Sequence, residues 1–238
     1  MVGLMGGSTL ILIPPSEAKA QGGTMASWRA GTMAIAELDR RRQEVLRAIG
    51  PRQGQKLGPT MAAIERYVGV LYKELDAASL ESQALERLNR DTLIVSGLWG
   101  LVAPTDPIPA YRMKMSASVA PLGKLSTWWR PHVTKALVAR VDAALVWDLL
   151  PIEHSASVDW SKLAPEQRVT VRFVDSQGKT VNHWNKLLKG SLVRWLAQSA
   201  PSEVDALEGF DHPQGYVWDP DATELEGPTT RLTFTQRS

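Results

Sequence analysis

Three stretches of this chain gather side chains that can do chemistry. The first is Pro14-Pro15-Ser16-Glu17-Ala18-Lys19, directly after a short apolar run. Ser16 offers a hydroxyl, Glu17 a carboxylate and Lys19 a point cation, a set suited to a phosphate or a polar substrate. The same residues also suit a turn in which Ser16 caps a short helix and Glu17 pairs with Lys19.

The second stretch is SGLWGLVAPTDPIPAYRMKM, from Ser96 to Met115. Gly97 and Gly100 permit backbone conformations or close approaches that other residues forbid. Pro104, Pro107 and Pro109 then stiffen the chain up to Tyr111-Arg112-Met113-Lys114. An extended backbone there sends Arg112 and Lys114 to one face and Tyr111 and Met113 to the other. Two cations on one face meet the needs of a phosphate backbone or a carboxylate. Asp106 is their natural counter-ion, a pairing that would also serve as a plain loop staple. The spacing Gly97-Leu98-Trp99-Gly100-Leu101 resembles the turn of a helix-hairpin-helix, but a strand pattern precedes it where that motif has a helix.

The third stretch is NHWNKLLKGSLVR, Asn182 to Arg194. Lys186 and Lys189 are three apart and so neighbours on a helix, with Arg194 further along. Leu187, Leu188, Leu192, Val193 and Leu196 supply its apolar side. The basic side is either a solvated face or one wall of a polyanion groove.

Other chemistries lose their footing. Without cysteine there is no disulfide, thiolate metal site or cysteine nucleophile. No strand leads into GxGxxG or a P-loop. His132, His154, His183 and His212 are far apart, and Glu17, Asp106, Asp148, Glu153 and His154 show no diagnostic ligand spacing. Neither a metal nor a cofactor is expected. Of the nine tryptophans, Trp99, Trp128, Trp129, Trp184 and Trp195 could stack on bases, but most are expected to fill or cover core, and none is assigned to binding.

The elements that must position these residues can be read from periodicity. Leu10–Ile13 reads as a buried strand after a flexible start over residues 1–9, too short for a membrane span and without a basic leader. Met33–Ile49 reads as a helix stopped at Gly50-Pro51. Pro59–Ala78 repeats apolar residues at helical spacing, and Leu80–Leu88 adds a shorter helix. Thr92–Ser96 and Ala143–Leu149 read as buried strands, with Trp128–Arg140 helical between them. Arg168–Val174 is expected to form a hairpin with Lys179–Trp184 through Ser176-Gln177-Gly178. Asn185–Ala197 reads as a helix, and Gly215–Trp218 and Arg231–Thr235 as strands. The mixture points to α+β or mixed α/β: one domain over residues 10–238, with a mixed sheet flanked by helices and a basic cleft.

Charge sharpens that expectation. The net charge is only +2, on a chain of 238 residues whose 44% apolar content suits a soluble globular protein. Yet Ile108–Val141 and Ser176–Gln198 hold Lys and Arg without a single acid, whereas the chain beyond Ser199 is acidic. The asymmetry fits a basic face for a polyanion, or an acidic tail that folds back to neutralise it.

Taken together, LILIPPSEAKAQGG, ERYVGVLYKELDAASL (Glu65–Leu80), VSGLWGLVAPTDPIPAYRMKM (Val95–Met115), NHWNKLLKGSLVRWLA (Asn182–Ala197) and FDHPQGYVWDP (Phe210–Pro220) form a pattern. Their order resembles that of the YaaA family of bacterial peroxide stress proteins. The resemblance spans residues 10 to 220. It implies a cytoplasmic protein with a positively charged cleft, DNA binding, and a role in limiting free iron and oxidative DNA damage under hydroperoxide. It ties no enzymatic activity to the shared positions. Carried over, the cleft would draw on Ser16, Glu17, Lys19, Tyr72, Ser96, Asp106, Tyr111, Arg112, Lys114, Lys186 and Lys189. The chain departs from the family pattern at Val146–His154. Two functions follow as expectations. One is a protein that binds duplex or structured DNA. The other is an enzyme on a small anionic or nucleotide-like substrate, with Glu17 or Asp106 as acid/base. No membrane partner is expected.

Overall fold

The computed structural model describes residues 8–50, 58–141, 144–163, 168–180, 184–201, 204–226 and 229–237. Most of the flexible start expected over residues 1–9 therefore lies outside the described residues, although Ser8 and Thr9 already belong to a strand. That strand, β1 (Ser8–Ile13), is followed by a 3-10 turn and α1 (Asp39–Ile49). Next come β2 (Met61–Ala62), α2 (Ala63–Arg66), α3 (Val70–Leu75), α4 (Ser82–Asp91), β3 (Thr92–Ser96), β4 (Gly100–Val102) and β5 (Pro107–Ile108). The chain continues through β6 (Ser118–Val119), β7 (Gly123–Lys124), α5 (Leu125–Val138), β8 (Ala144–Asp148) and α6 (Ile152–Ser155). It ends with β9 (Arg168–Val174), α7 (Asn185–Ser199), β10 (Tyr216–Glu226) and β11 (Thr229–Gln236).

The expected mixed sheet flanked by helices is present. Seven strands run in the order β10-β11-β9-β8-β1-β3-β4. From β11 to β3 every neighbouring pair is parallel, and β10 and β4 close the two ends antiparallel. Central parallel strands are covered on both faces, which is why β1 and β3 read as near-continuous apolar runs. Leu10 to Ile13 and all of β3 are buried. Helix α4 packs on β1 and β3, α7 on β9, α3 against α7, and α5 on β4.

Two expected elements are built differently. The single helix read across Pro59–Ala78 is broken into α2 and α3 by an extended Tyr67. The apolar spacing was sound; pairing across the loop after β1 overrides it. Tyr67 bridges Lys19, Ala20 N–H donates to Arg66 O (2.9 Å) and Val68 N–H to Ala18 O (3.2 Å). Of the hairpin expected across residues 168–184, the described residues carry one bridge, Val174 to Thr180; β11 pairs along the whole of β9, and β8 takes the other side of its first three residues. Residues 181–183, with Asn182 and His183, lie outside the described residues.

The glycines of the Ser96–Met115 stretch are explained by a hairpin between β3 and β4, not by a helix-hairpin-helix turn. Gly100 has φ +71°, and a side chain there would run into Trp129. A Cβ on Gly97 would lie 2.9 Å from the backbone C and O of Lys114 and the N of Met115. Because these are backbone atoms, one of the two segments must move. Gly97→Ala will therefore destabilise the fold by about 1–3 kcal/mol, the usual cost of overpacking, read as a lower midpoint in urea denaturation.

Candidate functional site

The sheet changes direction at β1. The chain leaves β1 for β3 on one side and later enters β8 on the other, both parallel to it. In open parallel sheets the crevice outside the carboxyl ends of strands at such a switch point is the usual ligand position. Three loops meet there, after β1, β3 and β8, and the first is Pro14–Lys19.

Lys19 sits at the centre of what those loops build. Its Nζ donates to Ser16 O (2.7 Å) and lies over the Tyr111 ring, 4.1 Å from the centroid, with the Tyr67 ring at 5.3 Å. Burial, reinforced by the charges of Arg66 and Arg112, lowers its pKa to about 8; Glu17 opposes the shift. Beneath it the Tyr111 hydroxyl joins those of Tyr67 (2.6 Å) and Ser96 (2.7 Å). Ser96 Oγ in turn accepts the N–H groups of Leu98 and Trp99, so the turn after β3 orients the chain of hydroxyls. Burial pushes the Tyr111 phenol up to about 12 and raises Tyr67 too. These phenols stay protonated and act as hydrogen-bonding groups.

Glu17 stands at the exposed rim. Its carboxylate pairs with Lys114 Nζ (3.1 Å), and that contact, aided by the charges of Lys186 and Lys19, holds it below the usual carboxylate range. Cations from three distant parts of the chain thus act on one carboxylate. The alternation expected at Tyr111–Lys114 is observed: Tyr111 is buried, while Arg112 and Lys114 are exposed. Lys186 is exposed at the start of α7.

The remaining expected residues take other positions. Ser16 packs against Gly69, whose missing side chain makes room for it, and Tyr72 donates to Pro14 O (2.8 Å), so both brace the loop after β1. Lys189 is half-buried and donates to Leu149 O (3.0 Å) at the end of β8. Its pKa falls through burial, with the Asp148 charge opposing. Asp106, 3% exposed, accepts from Ala34 N–H (2.7 Å) and Ala103 N–H (2.8 Å), and its charged neighbours are Arg42 and Asp39. Lys114 has Glu17 as its counter-ion instead of Asp106. The turn at Val146–His154 is organised by Asp148, which pairs with Arg168 (2.6 Å) and accepts from Ser155 (3.2 Å).

Two important residues escape a sequence reading. Tyr67 falls inside a helical repeat, and only Gly69 just beyond it hints at a break. Arg66 looks like an ordinary surface cation of a helix but is fully buried and binds four carbonyls: Ala20, Gly22, Pro59 and Ile108. The acidic tail is spent elsewhere. Among the described residues its ion pairs are with Arg172 and Arg231 at the β9–β11–β10 end of the sheet, and Lys114 and Lys186 are not among its partners.

Residues 29–222 match the family profile described as peroxide stress protein YaaA, a span that begins after the Ser16–Lys19 loop. A UPF0246 protein of Streptomyces coelicolor is 33% identical over 235 residues, covering 85% of this chain and 90% of that protein. A UPF0246 protein of Corynebacterium glutamicum is 34% identical over 216 residues, covering 80% and 85%.

Proposed function

The chain belongs to the peroxide stress protein YaaA family, and from that premise we propose that it protects DNA under peroxide by binding the phosphate backbone. The phosphates would be met in a basic cleft formed by Lys19, Arg112, Lys114 and Lys186, outside the carboxyl ends of β1 and β3. The observation that supports this reading is that Lys19, Lys114 and Lys186, from three separate segments, all act on Glu17. Cations that neutralise phosphates release the counterions condensed on DNA. Ferrous iron held on the backbone is one such counterion, which connects DNA binding to a lower burden of free iron where oxidation does its damage.

The test is binding of labelled duplex and branched DNA by fluorescence anisotropy from low to moderate salt. Four engaged cations predict that log K falls linearly with log salt at a slope of about −3.6. Binding that is absent, or that ignores salt, would refute the reading.

One observation favours a second reading, an enzyme acting on a small anionic substrate. A surface for DNA alone has little use for Glu17, whose charge opposes phosphate, beside a half-buried amine resting on tyrosine rings. There Glu17 would serve as acid/base, with Arg112, Lys114 and Lys186 as the anion clamp.

A further inference from the structure

Lys19 differs from the lysines around it. Lys114 and Lys186 are exposed, and Lys114 is neutralised by Glu17. Among the described residues no carboxylate lies within ion-pair distance of the Lys19 ammonium. Its surroundings are one backbone carbonyl, two aromatic faces, the opposing charge of Glu17 further off and the positive charges of Arg66 and Arg112. Burial and the two arginines favour the neutral amine here, against the pull of the carbonyl and the ring faces on the cation. One N–H serves Ser16 O, and the nitrogen lone pair stays available. With a pKa of about 8, roughly a tenth of the side chain is neutral at pH 7, against about one part in a few thousand for an ordinary lysine.

We infer that Lys19 is a nucleophilic amine that condenses with the carbonyl carbon of a small oxo acid, whose carboxylate is held by Lys114 and Lys186. The inference rests on the second reading above and names its substrate class. In the step, the Lys19 nitrogen forms the C–N bond as the carbonyl π pair moves to oxygen. The carbinolamine then loses that oxygen as water, which carries away both amine protons, and an imine remains. No oxidant, reductant or further reactant is consumed. Glu17, an ionised carboxylate whose charge reaches Lys19, would act first as base, taking a proton from the attacking amine and then returning it to the departing oxygen. A lysine desolvated beside other cations is a recognised way to make an amine nucleophilic near neutral pH. Once a proton is taken up on its nitrogen, the imine draws electrons from the bond next to it, so the step suits carbon–carbon cleavage or α-proton removal.

The full chain would be incubated with glyoxylate and sodium cyanoborohydride, which traps an imine as a stable secondary amine, then digested and mapped by mass spectrometry. Lys19 is expected to be labelled at least about tenfold faster than any other lysine. Its rate should rise with pH through a midpoint near 8 and fall severalfold in the double variant Lys114→Gln, Lys186→Gln. Acetaldehyde, which lacks the carboxylate, should show no loss in that variant. Oxalate, an anion without a reactive carbonyl, would be titrated separately by calorimetry. If oxalate binds through Lys114 and Lys186 while glyoxylate labels lysines indiscriminately, the amine inference fails and the small-anion reading survives. If neither oxalate binding nor selective labelling occurs, both fail. Selective labelling of Lys19 that is equally fast with acetaldehyde overturns the oxo-acid class.

Discussion

Changing Lys114 and Lys186 together to glutamate will abolish DNA binding while leaving the fold intact. Both side chains are exposed, and neither carries a hydrogen bond that the core depends on. Each reversal removes an attraction to phosphate and adds a repulsion beside Glu17, which also loses the partner that neutralises it. Like charges facing each other across an interface cost several kcal/mol; at about 1.4 kcal/mol per tenfold, the affinity loss is on the order of a hundredfold or more. Anisotropy at low salt is the measurement, with thermal melts to verify folding, and binding kept within a few-fold of the parent would sink the proposal. Reversing Lys186 with Lys189 is a poorer experiment, although their spacing makes it the natural choice. Lys189 donates to Leu149 O, so a carboxylate there would face a carbonyl in half-buried surroundings, and lost binding would only report a damaged fold.

That contrast shows what sequence does and does not reveal here. Periodicity placed both lysines on one helix, correctly, yet two positions three apart need not share an environment once another strand's end approaches. Strands β1, β3 and β8 were legible because central strands bury both faces and their composition shows it. The break at Tyr67 was not, since it depends on the Ser16–Lys19 loop, some fifty residues earlier, lying alongside. Asp106 was legible as a carboxylate in a rigid loop, but its partners, Ala34 N–H and Ala103 N–H, belong to tertiary structure. The kinds of chemistry around Lys19 could be named from residue types. Its seat on the Tyr111 ring could not, because Tyr111 reaches it only when β5 pairs with β2.

The same dependence on tertiary structure makes Arg66 the residue whose loss will cost most. Its guanidinium holds Ala20 O and Gly22 O on the loop that carries Lys19, Pro59 O ahead of β2, and Ile108 O at the start of the segment that carries Tyr111 and Lys114. It is fully buried, so water cannot replace it. Arg66→Met preserves much of the apolar stem and tests the polar contribution alone. Each buried carbonyl left without a donor costs about 1–3 kcal/mol. Partial relaxation of the loops offsets some of that sum, leaving an expected loss of about 3–5 kcal/mol, in the range where a single change is diagnostic. For a chain of this size that corresponds to a melting temperature lower by roughly 6–20 °C. The site should fail before the fold does: freed from its anchor, the 20–23 loop no longer holds Lys19 over Tyr111, and a neighbouring positive charge is gone. Below the melting transition, the amine of Lys19 should therefore titrate closer to an ordinary lysine, which NMR of the labelled Nζ would detect. A variant that melts like the parent would mean that the four carbonyls find other donors and that Arg66 does not hold the loops together.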